Sequence, residues 1–256
     1  MLLNTLIVAG SGILAGAANA IAGGGTLITF PALMAVGLPP VTANITSSIG
    51  LVPGYAGGAV AYRRELGAQK HRLKFLALPS IIGGICGALL LLVTPATTFQ
   101  VVVPYLILVS CALLALQPQL AAVVLNVRTR AGSTGRELGL AFASAVFIAS
   151  IYGSFFGAGL GVLLLAVLGI YLQDHLQHLN GLKSLLSLLV VIAGVLIYLF
   201  SGRARMDLVA ILLVSSYIGG VVGGSVARKV PQSALRWIIC GLGAAVAIVM
   251  LLRSPG

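Results

Sequence analysis

Residues Asn44 through Pro95 match residues 180 through 231 without a gap at a constant spacing of 136. Asn44 pairs with Asn180, Ser48 with Ser184, Gly58 with Gly194, Tyr62 with Tyr198, Ser80 with Ser216, Gly83 with Gly219, Gly84 with Gly220, Gly87 with Gly223 and Pro95 with Pro231. Upstream, Gly23, Gly25 and Ala32 pair with Gly157, Gly159 and Ala166 at a spacing of 134, so one short insertion separates the two blocks. A chain that repeats one unit is expected to fold as two copies of one structure. In an apolar chain such duplication is a common mark of secondary transporters, whose substrate site lies where the repeats meet.

With 59% hydrophobic and only 7% charged residues, this chain has too little polar surface for a water-soluble fold, and it reads as an all-α polytopic membrane protein. The net charge of +11 would point to nucleic acid in a soluble protein. Here the basic residues fall mostly between apolar runs, where they set orientation in the bilayer, and no nucleic acid is expected. Cys86, Cys111 and Cys240 lie inside apolar runs without metal-ligand spacing, so neither a disulfide nor a metal site is implied. The first apolar run lacks a basic leader region and passes directly into the repeat, so it reads as a retained span.

A bilayer core about 30 Å thick needs about 20 helical residues. Runs of that order occupy 2–22, 42–62, 73–93, 99–116, 138–156, 179–200, 207–227 and 233–252. Two shorter apolar pieces, 26–36 and 159–171, hold equivalent places after glycine-rich turns. The chain therefore divides into an N-terminal repeat (1–116), a polar linker (117–137) with Arg128, Arg130 and Arg136, and a C-terminal repeat (138–256). Each repeat has four long spans and one short or broken helix. If the short pieces cross, the repeats are inverted; if they re-enter, the repeats are parallel. Both arrangements obey the positive-inside rule equally. The opposite charge character of the equivalent loops 94–100 and 228–236 favours inversion.

Two constellations could carry chemistry. Gly23-Gly24-Gly25-Thr26 precedes a short helix, and Asn44-Ile45-Thr46-Ser47-Ser48 follows it. Glycines ahead of a helix expose amide hydrogens at its positive end, where an anion binds, and the hydroxyls add neutral donors. The alternative is close helix packing, with the hydroxyls bonded to carbonyls one turn back. The second half carries Gly157 and Gly159, then Asn180, Lys183 and Ser184. Lys183 stands where the first half has Ser47 and is the only basic residue inside an apolar run. A charge at membrane depth costs a few kcal/mol and usually faces a cavity or a partner, unless it snorkels to the interface. Asp174, His175 and His178 form a second polar group, either a proton relay or a polar turn. Gly83-x-x-x-Gly87, Gly219-x-x-x-Gly223 and Gly220-x-x-x-Gly224 allow close helix contact, within one chain or in a homodimer. No nucleotide-binding motif or catalytic triad order is present, so the chain reads as neither an ATP-driven pump nor an enzyme, and no cofactor is expected.

Gly23-Gly24-Gly25-Thr26-Leu27, followed by Pro31, Leu33, Gly37, Pro39, Ala43 and Thr46-Ser47, resembles the TauE/SafE family of sulfite and organosulfonate exporters. The second half departs from this pattern at Leu165 and at Leu182-Lys183. The resemblance implies transport of a sulfur-containing oxyanion, such as sulfite, sulfoacetate or a related organosulfonate, across the bacterial inner membrane. Alternating access with the anion between the 44–48 and 180–184 segments is the expected mechanism. An anion channel and a non-transporting membrane scaffold are the competing classes, and the sequence leaves direction and coupling ion open.

Overall fold

A computed structural model describes residues 2–21, 23–119, 139–172, 174–226 and 232–253, and every regular element among them is helical. Helices are what apolar chains form where water cannot satisfy backbone polar groups. The first half contains α1 (Leu2–Ile21), α2 (Thr26–Ala35), α3 (Pro40–Gly50), α4 (Val52–Ala61), α5 (Lys70–Val93) and α6 (Ala96–Ala115). The second contains α7 (Leu140–Phe155), α8 (Leu160–Tyr171), α9 (Leu176–Phe200), α10 (Met206–Val226) and α11 (Gln232–Arg253). Among the described residues, four stretches are long and apolar enough to cross a membrane: Leu2–Asn19, Lys70–Val93, Ala96–Ala115 and Gln177–Phe200. Arg128, Arg130 and Arg136 of the linker lie outside the described residues, as does Pro231, and the packing around Gly223 and Gly224 is likewise not described.

Helix starts recur at the spacings of the sequence repeat. α2 and α8 begin at 26 and 160, α5 and α10 at 70 and 206, and α6 and α11 at 96 and 232. One difference is local: the run 42–62, expected as one span, is broken at Leu51 between α3 and α4. Pro53 is the cause, because it sits at the second position of α4, offers no amide hydrogen and crowds the carbonyl of the preceding turn. In the second half Leu189 occupies the corresponding place, and α9 runs unbroken for 25 residues.

Close glycine contacts reveal helix directions. Gly12 of α1 faces Leu212 and Ser215 of α10, while Gly16 faces Ser216 and Gly220, so these helices run parallel. Gly83 of α5 faces Phe147 and Ser150 of α7, and Gly87 faces Ile151 and Ser154, again parallel. α4 and α9 run opposite ways, since Gly58 faces Ser184 whereas Tyr62 and Glu65 face Gly181. The glycines at 83, 87 and 219 are thus spent on packing within the chain, Gly219 against Ile13. Cys111 and Cys240 are unbridged and join α6 to α11, each thiol donating to the other's carbonyl oxygen.

Candidate functional site

The turns before α2 and α8 bring the halves together. Gly23 and Gly157 take left-handed backbone angles, φ 83° and 82°, which a side-chain-bearing residue rarely adopts. A Cβ built on Gly23 would sit 3.7 Å from the Gly161 Cα, so the first turn of α8 touches the tip of the first hairpin.

A cavity of about 20 Å³ lies at this contact, lined by Asn19, Gly23, Tyr55 and Gly58 from the first half and Gly161, Lys183, Ser184 and Ser187 from the second. That volume holds one water molecule. None of its lining residues among those described is acidic. Lys183 reaches it from the third turn of α9, with its Cδ and Cε against Gly161, and among the described residues it forms no ion pair. Gly161 belongs to the first turn of α8, where the partial positive charge of the helix start favours an anion, although the Leu160, Val162 and Leu163 amides already donate to the Gly157 and Gly159 carbonyl oxygens.

Two further groups are poised here. Asn19 Oδ1 accepts the Gly25 amide hydrogen at 2.8 Å, which fixes the side-chain amide and leaves its Nδ2 buried without an acceptor. Ser187 is 2% exposed, and its hydroxyl has no partner. Buried polar groups are ordinarily paired, so these two leave hydrogen-bonding capacity open beside the cavity. Ser184 instead donates to the Asn180 carbonyl oxygen at 2.8 Å, and Tyr55 interacts with the Thr26 side chain.

Other residues singled out in the sequence lie nearby but serve internal bonds. Ser48 donates to the Asn44 carbonyl oxygen at 2.9 Å, the same bond that Ser184 makes with Asn180. Ser47 and Thr29 share a hydrogen bond of 2.5 Å. Thr46 Oγ1 accepts the Arg205 amide hydrogen at 3.1 Å, tying α3 to the start of α10. Asn44 Nδ2 donates to the Phe155 carbonyl oxygen at 2.8 Å, joining α3 to the turn before α8. Gly24 is left-handed in the first hairpin, Gly25 precedes α2, and Gly159 is the left-handed N-cap of α8. Thr26 is buried against Gly157.

Asp174, His175 and His178 gather at the entry of α9. Asp174 pairs with Arg72 of α5, and its Oδ1 accepts the His175 amide hydrogen and lies 2.7 Å from His178 Nδ1. Gln69 donates to the His178 carbonyl oxygen at 2.7 Å. Burial pushes the Asp174 carboxyl up, but the hydrogen bonds from His178, the His175 amide and Arg72 outweigh it and hold it below the ordinary carboxylate value. This cluster latches the 62–72 segment onto the start of the helix that carries Lys183. No group of metal-ligating side chains occurs among the described residues.

Asn19, Tyr55, Gly58, Gly161 and Ser187 are the lining residues that the sequence did not single out. Comparison with known proteins supplies the context for this geometry. The family model for the sulfite exporter TauE/SafE matches residues 8–250. The chain belongs to the TauE/SafE family. Similar proteins include the probable membrane transporter protein YfcA of Escherichia coli K12, 26% identical over 95% of this chain and 88% of its own length. A probable membrane transporter protein of Haemophilus influenzae is 24% identical over 88% of this chain and 86% of its own. The probable membrane transporter protein ORF9 of a Sinorhizobium species is 24% identical over 93% of this chain and 88% of its own. No solved structure matches the chain. Family membership and the apolar helices together make this a multi-pass membrane protein.

Proposed function

We propose that this protein is a secondary transporter of a sulfur-containing oxyanion, such as sulfite, sulfoacetate or a related organosulfonate, in the bacterial inner membrane. The observation that carries the reading is Lys183. It is a cation inside an apolar helix, facing a cavity built by both halves, with no acidic residue among the described lining residues. The cavity as it stands has room for one water, so an anion enters as the halves part, and it then supplies the missing counter-charge, which offsets the few kcal/mol that a charge costs at membrane depth. The relatives' names agree with membrane transport, and the family name agrees with sulfite as a substrate.

The mechanism is alternating access by two inverted repeats. Its supports are the recurring helix starts and the opposed directions of α4 and α9, which occupy corresponding places in the two halves. Rocking of the halves would open the contact between Gly23 and Gly161 to one side and then the other. Asp174 with His175 and His178, five to nine residues before Lys183, is the proton-relay candidate that this reading retains.

Reconstitution into liposomes tests the proposal against a channel. A carrier gives saturable sulfite uptake that unlabelled sulfite inside the vesicle accelerates. Ohmic sulfite conductance without that acceleration would replace the carrier with a pore.

A further inference from the structure

Resting on the oxyanion reading above, we infer that Asn19 and Ser187 are the substrate-selecting donors of a single anion site, and that its symmetry-related counterpart is permanently plugged. The two halves do not contribute equally to the cavity. Asn19 comes from α1 and is oriented by the Gly25 amide, whereas Ser187 stands one turn after Lys183 on α9. The unpaired atoms they offer are an amide nitrogen and a hydroxyl, and both can donate hydrogen bonds. Lys183 adds an ammonium group that can only donate. The Ser184 proton is committed to the Asn180 carbonyl oxygen. A ligand satisfying this set must offer acceptors on several sides and needs no donor of its own. A sulfonate or a fully deprotonated sulfite fits that description, and a protonated or hydroxyl-bearing group fits it less well.

Shifting the site by the repeat spacing puts Leu51 at the place of Ser187, Val191 at that of Tyr55, Leu27 at that of Gly161 and Gly153 at that of Asn19. Leu27, Leu51 and Val191 are at most 7% exposed, and a Cβ on Gly153 would collide with the Leu160 side chain at 2.4 Å. The places of Ser187, Tyr55 and Gly161 are therefore filled with hydrocarbon, while Ser48, at the place of Ser184, donates to the Asn44 carbonyl oxygen and Gly194, at the place of Gly58, faces the Ser154 side chain. Only its Ser47 hydroxyl is polar at the lysine position, and that group is bonded to Thr29. The duplicated fold thus carries one anion site.

Because the Asn19 amide hangs on Gly25, an anion bound to it also holds the hairpin between α1 and α2. Occupancy of the site is in this way linked to the contact that alternating access must open.

The test is titration of the purified full chain with sodium sulfite, read by calorimetry and by thermal stabilisation. Ser187→Ala and Asn19→Asp are compared with wild type. The aspartate keeps an acceptor for the Gly25 amide while replacing the Nδ2 donor with an acceptor. Each variant is expected to bind sulfite at least about ten-fold more weakly, as befits loss of a hydrogen bond to a charged group. Neither should melt below wild type in the absence of anion, because Ser187→Ala removes an unpaired hydroxyl and Asn19→Asp sets a carboxylate on the cavity of Lys183. Wild type is expected to bind one sulfite per chain. Leu51→Ser is the second check, since it leaves Lys183 in place and should leave that stoichiometry unchanged. Wild-type binding of sulfite with wild-type affinity in both Ser187→Ala and Asn19→Asp overturns this inference and leaves the transporter reading standing. Two equivalent sulfites bound per wild-type chain overturns the plugged counterpart. Absence of sulfite binding by folded wild type overturns the oxyanion reading itself, and this inference with it.

Discussion

A methyl group added to Gly161 would lie 3.8 Å from both Cδ and Cε of Lys183, which is ordinary van der Waals contact. The glycine thus forms the wall along which the lysine stem reaches the cavity. Gly161→Ala should retain both fold and sulfite affinity. Gly161→Leu has no such space, because Gly23 closes the other side at 3.9 Å. The leucine should cost about 1 to 3 kcal/mol and abolish flux, and unfolding in detergent paired with vesicle uptake separates the two effects.

Helix contacts through glycine differ sharply in tolerance. A Cβ at Gly87 would stand 2.2 Å from the Ile151 carbonyl oxygen, and one at Gly16 would stand 2.1 Å from that of Ser216. Backbone cannot yield as a flexible side chain does. Gly87→Ala and Gly16→Ala should each destabilise by about 1 to 3 kcal/mol despite alanine's better helix propensity. Gly57→Ala, which meets nothing within 4 Å, should be neutral or slightly stabilising. Thermal melts of the three proteins check this ranking.

The latch at Asp174 carries a pH dependence of defined sign. Its carboxyl is held below the ordinary carboxylate value in the folded protein, so the folded state favours the ionised form. That contribution is fully present above the unfolded value and is lost as pH falls through the folded one. Asp174→Asn should therefore melt earlier than wild type at neutral pH, by about 1 to 3 kcal/mol of stability. The gap should close in acid below the ordinary carboxylate range, and melting curves across that range measure it.

Much of the architecture was legible because apolar runs and their glycine and proline boundaries are local signals. The helices begin within a few residues of the expected positions, and Gly23 and Gly157 do form the turns ahead of the short helices. The break at Leu51 was less visible, since hydropathy is continuous through it and only Pro53 marks it. Lys183 stood out as a lone cation in an apolar run. Asn19, Tyr55 and Ser187 did not, because each is an unremarkable polar residue in its own helix. What distinguishes them is an unmade bond or a neighbour more than a hundred residues away, and no window of sequence contains that. The hydroxyls at Thr46 and Ser47 looked like ligands for the same reason in reverse: their partners Arg205 and Thr29 are set by folding.

Those two hydroxyls give a further contrast. Thr46→Val and Ser47→Ala each remove one internal hydrogen bond and should cost about 1 kcal/mol of stability. Neither residue lines the cavity at Lys183, so sulfite affinity of the folded protein should change less than two-fold, in the range of about 0.4 kcal/mol or below. Calorimetric titration alongside thermal melts distinguishes these positions from Ser187.

On the proposed reading, Lys183 is the counter-charge of a transported oxyanion. The most direct test of that role is counterflow of radiolabelled sulfite in proteoliposomes containing wild type or Lys183→Met, both shown to be folded by their elution and melting behaviour. Saturable wild-type counterflow that falls at least about a hundred-fold in Lys183→Met is the predicted result, equivalent to about 2.7 kcal/mol. Counterflow at the wild-type rate in folded Lys183→Met would contradict it.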